Sequence, residues 1–208
     1  VYTRGLDAYL VLLAEHGLNA STFAARVAIG AGADVYCAIV ASLGTLKGLL
    51  HGGANQKAME TFLEIGTAEN AAPYIENLVQ NRGRLMGVGH RIYRVEDPRM
   101  KPLRKQFLAL AAEGAGRWYE VAEAVGKVIQ EHPHFVQRKL NPNVEFYSAP
   151  LLYSLGFPLD LFTAAFAMSR IAGWMAHIRE QLADNRLIRP KADYSGPAPR
   201  EFVPLKDR

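Results

Sequence analysis

Apolar residues recur along this 208-residue chain at helical spacing almost from end to end, and no run alternates polar and apolar as a half-buried strand would. Leu6, Leu10 and Leu13 mark one face of a first helix, over about 4–15, that ends near His16-Gly17. Asn19-Ala-Ser-Thr22 offers caps for a second helix to about Ile29, and Gly30-Ala-Gly32 breaks it. The pattern then predicts helices over about 33–46, 56–65, 71–80, 102–112 and 116–131. His132-Pro-His-Phe135 interrupts the pattern, because proline disfavours helix at the residue before it. The turn 141–147 opens a short helix to about 155, and the longest helix follows over 159–182. Small residues in that helix (Ala164, Ala165, Ala167, Ser169, Ala172, Gly173, Ala176) and in 33–46 are expected to permit close helix contacts. From Arg189 four prolines predict an extended arm. The expected fold class is all-α.

Half of the residues are hydrophobic and 21% are charged, so the chain is globular and long enough for a substantial core. The net charge of +4 is too small and scattered to argue for nucleic acid. The lone cysteine, Cys37, excludes an internal disulfide and is expected to be buried in its apolar run. No apolar stretch reaches the roughly 20 residues of a membrane helix. No signal peptide is read either, so the expected location is cytoplasmic. Residue 1 is Val and a helix starts almost at once, so the chain is expected to be a piece of something longer.

The chemistry gathers around Arg84-Leu-Met-Gly-Val-Gly-His-Arg-Ile-Tyr-Arg-Val-Glu-Asp-Pro-Arg99. Glycines before a histidine let a backbone approach a ligand, and three arginines follow within nine residues. Such a loop suits an anionic substrate whose oxygen must be polarised; the alternative is a surface loop with solvated arginines. His51, His90 and Glu145 each stand at an expected loop-to-helix junction and form a candidate catalytic set. The positive end of the helix after Gly52-Gly53 is expected to keep His51 neutral, able to donate to a developing enolate oxygen. Arg99, Arg170 and Arg189 are candidates to meet carboxylates. Arg170 lies among small apolar neighbours, so an internal carboxylate or an anionic ligand is expected to meet it. His132 and His134 lack a third metal ligand nearby. Ile92 stands where a dinucleotide fingerprint needs its third glycine, and phosphate-loop and nucleophile-elbow motifs are missing.

Six segments, in order, carry a resemblance that runs over essentially the whole chain. They are Glu15-His-Gly-Leu-Asn-Ala-Ser-Thr-Phe23, Lys47-Gly-Leu-Leu-His-Gly-Gly-Ala-Asn55, Met86-Gly-Val-Gly-His-Arg-Ile-Tyr93 with Asp97-Pro-Arg99, Asn143-Val-Glu-Phe-Tyr-Ser148, Ser169-Arg-Ile-Ala-Gly-Trp-Met-Ala-His177 and Arg189-Pro-Lys191. The chain resembles the citrate synthase family, including its 2-methylcitrate synthase branch. The resemblance implies a Claisen-type condensation of acetyl-CoA with oxaloacetate and water to give citrate and CoA. By the family's pattern His51 stabilises the thioester enol, His90 polarises the oxaloacetate carbonyl, and Glu145 is the base. His16, His90, Arg99, Arg170 and Arg189 hold oxaloacetate or citrate, with Arg189 acting from a neighbouring subunit of a homodimer. Arg94 and the Leu85, Met86, Gly87, Val88 and Gly89 backbone contact CoA. No metal and no cofactor beyond the CoA substrate are implied, nor a nucleic-acid or membrane partner.

Glu145 departs from the family's usual aspartate by one methylene, about 1.5 Å of reach. By the resemblance the family's N-terminal part of the large domain is expected to be missing from these residues, so the expected division is 1–51 and 154–208 as large-domain remnants with 52–153 as the small domain. Glycines 48, 52 and 53 are candidate hinges for domain closure. The alternatives are a 2-methylcitrate synthase using propionyl-CoA, or a non-catalytic subunit that needs a complementary N-terminal chain; a citryl-CoA-cleaving relative fits the 15–22 segment less well.

Overall fold

A computed structural model describes residues 1–89 and 97–208. Its described residues form ten α-helices: α1 (Tyr2–Leu13), α2 (Ala20–Gly30), α3 (Val35–Leu46), α4 (Ala54–Ile65), α5 (Ala71–Gln80), α6 (Met100–Leu110), α7 (Gly116–Glu131), α8 (Pro133–Gln137), α9 (Val144–Ser154) and α10 (Phe162–Ala183). Among them the one β feature is an isolated antiparallel bridge, Val88 to Pro142. The all-α expectation holds.

Local chemistry explains the boundaries. Asn19, Asp34 and Asn143 cap α2, α3 and α9, each accepting from a first-turn backbone N–H. The expected break at 132–135 does end α7, but it opens a helix of its own. His132 caps α8 by accepting from His134 N at 3.1 Å, and Pro133 occupies the first helical position, which needs no donor. α6 and α7 are joined through the π-turn Ala111–Ala115, which Gly114 permits at φ +105°. After α10, residues 185–204 have no regular structure, as the prolines predict.

α9 is the helix the others surround. Val144, Phe146, Tyr147, Ser148, Ala149, Pro150, Leu151 and Leu152 are all buried, so it has no polar face. α4, α6 and α7 pack on it, with Phe62 of α4 edge-to-face on Phe146 at 5.4 Å. Tyr147 Oη donates to Glu123 of α7 at 2.7 Å, and Arg104 of α6 donates to the same carboxylate. The main core continues through Tyr9 and Leu13 of α1 to Phe162 and Trp174 of α10. A smaller cluster of Ala25, Ile29, Ala38 and Ile178 joins α2, α3 and α10.

Two expectations are corrected. Cys37 is exposed, because α3 buries Ala38, Ser42 and Leu46 and turns Tyr36, Cys37 and Val40 outward. Of the small residues in the longest helix, Ala165, Ser169 and Gly173 are buried, whereas Ala164, Ala172 and Ala176 face solvent. Among the described residues no helix is long and apolar enough to cross a membrane.

Candidate active site

α10 acts as the ruler on which the site is laid out. A helix leaves its last four carbonyls without partners inside the helix. α10 supplies donors to those at the end of α1: Ser169 Oγ to Leu10 O at 2.6 Å, Arg170 Nε to Leu13 O at 2.7 Å, and Gly173 N to Ala14 O at 3.1 Å. One turn on, Trp174 Nε1 donates to Ser21 Oγ at 3.1 Å, at the start of α2. Residues 169, 170, 173 and 174 share one face, so a single helix fixes both ends of the turn that carries His16. Gly173 is required there, since a Cβ would overlap the Ala14 carbonyl and the Glu15 carboxylate. Gly173→Ala is expected to destabilise the fold by about 1–3 kcal/mol, the usual cost of overpacking, read as a lowered midpoint in urea unfolding.

His51 stands on the tight turn between α3 and α4. Gly52 donates to Leu46 O at 2.8 Å, and a Cβ on Gly52 would lie 2.6 Å from that oxygen. Glycines 52 and 53 therefore permit close packing of this turn. The ring is set edge-on to Phe166 at 6.3 Å. Ser21 Oγ is 2.8 Å from Nε2, and the Ser21 backbone N–H reaches the same nitrogen at 3.4 Å. Ser21 Oγ has a single proton and also lies 2.8 Å from its acceptor Asn19 Oδ1, so the amide N–H, which can only donate, is the contact that assigns Nε2 as acceptor and places the ring proton on Nδ1. Burial, then the charge of Arg170, lowers the His51 pKa to about 4. The ring is neutral, as expected, but the helix N-terminus that touches it is that of α2, not the one that follows it in sequence.

Glu145 is the second residue of α9, partly buried, with its backbone N–H donating to the Asn143 side chain at 3.1 Å. Burial raises its pKa; its own N–H and the charges of Arg99 and Arg170 pull the other way, and Asp97 adds to the rise. Asn143 ties this helix start to the glycine loop. Its N–H donates to Gly87 O at 2.9 Å and its amide to Gly89 O at 2.8 Å, while Gly89 N donates to Asn141 O at 2.7 Å. Gly87 and Gly89 have φ of +80° and +84°, and a Cβ on Gly87 would lie 3.2 Å from Phe146 Cα. Leu85, Val88 and Gly89 line a cavity of about 470 Å³ together with Arg84, His134 and Leu140.

The charges of two buried arginines act on this carboxylate. Arg99 pairs with Asp97 through Nε at 3.0 Å and Nη2 at 2.6 Å, both residues being buried. Arg170 lies over Phe166 at 4.8 Å, and its pKa falls to about 10 through burial and the charge of Arg99. The charges of Glu15 and Glu145 oppose this, while the hydrogen bond Arg170 makes is to the Leu13 carbonyl. Beside them, buried Tyr9 accepts from Asn55 at 3.4 Å, and Asn55 accepts from Ser148 at 3.5 Å.

The structure thus brings His51, Arg99, Glu145 and Arg170 into one electrostatic neighbourhood. His16 is on the turn after α1, and Arg189 is exposed on the irregular tail. His90 and Arg94 lie outside the described residues. Reading residue by residue missed Ser21, Asn55, Ser148 and Trp174, although each lies inside a quoted motif. Tyr9 lies outside all of them, and only its burial beside Glu145 marks it.

The family profile described as "Citrate synthase, C-terminal domain" matches residues 1–191. "Citrate synthase 2" of Bacillus subtilis is 48% identical over 96% of this chain and 52% of its own length. "2-Methylcitrate synthase 1" of Corynebacterium glutamicum is 41% identical over 99% of this chain and 53% of its own length. A crystal structure of citrate synthase from Pyrobaculum aerophilum superposes with a TM-score of 0.86 at 43% identity, covering 100% of this chain and 52% of that one. The Thermoplasma acidophilum enzyme, in a ternary complex with carboxymethyl coenzyme A and oxaloacetate, gives 0.88 at 37% identity, over 98% of this chain and 55% of that one. The chain spans about half the length of the curated relatives it matches. On the fold and these matches together, the chain belongs to the citrate synthase family.

Proposed function

We propose that this chain carries the condensing site of an enzyme that joins acetyl-CoA, oxaloacetate and water into citrate and CoA. The observation that carries the reading is a partly buried Glu145 with a raised pKa, in one neighbourhood with a neutral His51 and the cations Arg99 and Arg170. A thioester α-proton is only weakly acidic. A carboxylate made more basic by burial is a better acceptor for it, provided the enolate is stabilised as it forms. The Glu145 carboxylate takes the proton, and His51 Nδ1–H donates to the thioester oxygen. The nucleophilic carbon attacks the oxaloacetate carbonyl, polarised by His90. Water then cleaves the thioester and releases CoA.

Oxaloacetate brings two carboxylates, and Arg99, Arg170, His16 and a partner subunit's Arg189 are proposed to receive them. The CoA portion is assigned to the 85–89 backbone and Arg94; the cavity beside Leu85 and Gly89 supports that placement. No bound cofactor is called for. The homodimer implied by the family is supported by the exposed apolar residues Tyr36, Val40 and Leu43 on α3. The division into 1–51 with 154–208 and 52–153 is proposed on the same basis.

Because both citrate and 2-methylcitrate synthases are among the relatives, the acyl group is the open term of the proposal. One methylene changes discrimination by about 1–3 kcal/mol in an apolar pocket. Thiol release by the protein in its natural full length, with oxaloacetate and either acetyl-CoA or propionyl-CoA, tests it. Faster turnover of acetyl-CoA is expected. Preference for propionyl-CoA shifts the reading to 2-methylcitrate, and turnover of neither overturns it.

A further inference from the structure

His177 closes the α10 motif, one turn beyond Gly173, and the condensation chemistry gives it no role. Its ring is hydrogen-bonded on both sides. Arg26 Nη1, from α2, lies 3.1 Å from Nδ1, and Glu15 Oε1 lies 3.1 Å from Nε2. A guanidinium is a donor only, so Nδ1 accepts and the ring's proton stands on Nε2, donating to Glu15. Arg26 is itself held by Gln181 Oε1 at 3.0 Å and by Glu180, whose carboxylate also lies 3.7 Å from His177 Nδ1.

Glu15 Oε1 accepts a second hydrogen bond, from Gly17 N. The residue between is His16. One carboxylate oxygen therefore fastens the far side of the His16 turn while His177 fastens the oxygen. Gly17 takes φ +60°, and Asn19 N donates to Gly17 O at 2.9 Å, completing the turn. The same Glu15 charge offsets that of buried Arg170.

We infer that Arg26, His177 and Glu15 form a relay that holds the His16 turn in register with Arg170, making His177 a positioning residue for the oxaloacetate site. This rests on the function proposed above. A leucine at 177 can neither accept from Arg26 nor donate to Glu15, so the turn loses its anchor. A glutamine can do both, with its amide oxygen toward Arg26 and its NH2 toward Glu15.

The test uses the protein in its natural full length and compares wild type, His177→Leu and His177→Gln. His177→Leu should raise the oxaloacetate KM about tenfold, the size of one lost charge-assisted hydrogen bond. The acyl-CoA KM and Tm should stay near wild type, and His177→Gln should restore the oxaloacetate KM. An unchanged oxaloacetate KM in His177→Leu, or equal losses in both variants, overturns the relay. Wild type that condenses nothing overturns the functional reading instead. The relay is then read from imidazole ¹⁵N–¹H spectra: His177 should carry its proton on Nε2, and the His16 signals should move in His177→Leu but not in His177→Gln. A proton on Nδ1, or His16 signals indifferent to both variants, sinks it.

Discussion

Glu145→Gln should lower kcat for condensation by about 10²–10⁴-fold, the usual contribution of a positioned general base. Oxaloacetate affinity should stay near wild type, because the arginines remain in place. Glutamine keeps the length of the side chain and leaves the Asn143 cap untouched, since that bond uses the residue 145 backbone N–H. Exchange of the thioester α-protons with deuterated solvent should fall with kcat; exchange at the wild-type rate would remove Glu145 as the base. Glu145→Asp withdraws the carboxylate by about 1.5 Å from a helix start pinned to Gly87 and Gly89, and should cost on the order of 100-fold.

The same substitution has an opposite effect on stability. Burial raises the Glu145 pKa, so the folded state holds the proton more tightly than the unfolded chain does. The stability tied to that proton is fully present below the ordinary glutamate value and is lost as pH rises through the raised one. Glutamine does not titrate. Glu145→Gln should therefore be at least as stable as wild type at neutral pH, with the difference closing as the pH is lowered through the carboxylate range. Urea midpoints at pH 7 and in acid read this directly. A variant less stable than wild type at pH 7 would contradict it.

Arg170→Met should destabilise the fold by about 3–5 kcal/mol, the scale for breaking a buried charge constellation from one side. Methionine fills much of the volume over Phe166, but the Leu13 carbonyl loses its donor, and Glu15 and Glu145 lose the cation that offsets them. Arg170→Lys keeps the charge without the fork, so it should be intermediate. His51 supplies a second readout. Its folded pKa is depressed to about 4, so the stability it contributes is present above the ordinary histidine value and is lost as pH falls toward 4. Removing the Arg170 charge should move the His51 titration upward, leaving burial as the remaining depressing cause. An unshifted His51 titration in Arg170→Met would show that the two groups do not sense each other.

The helices were legible because each boundary has a local cause. Asn19 as a cap, the Gly30-Ala-Gly32 break with its positive φ at Gly32, and the apolar spacing of α5 and α7 act over a few residues, within reach of a linear reading. α8 was missed because a cap at His132 and a proline at the next position read equally well as an interruption. Cys37 was misplaced for a different reason. α3 is apolar on more than one side, and periodicity cannot say which side meets α2 and α10.

For the site, the residue types, their order and the family they point to were contained in the sequence, down to the glutamate where the family's pattern has aspartate. Chemistry-bearing residues sit in short motifs whose spacing survives as a string. Three-dimensional approach decided the rest. That Arg170 caps α1, that α2 rather than α4 meets His51, and that His177 reaches Glu15 across 162 positions of sequence depend on α10 crossing the ends of two other helices. Protonation belongs to the same class. Burial and neighbouring charge push Glu145 up and His51 down, and both exist only once the chain has packed.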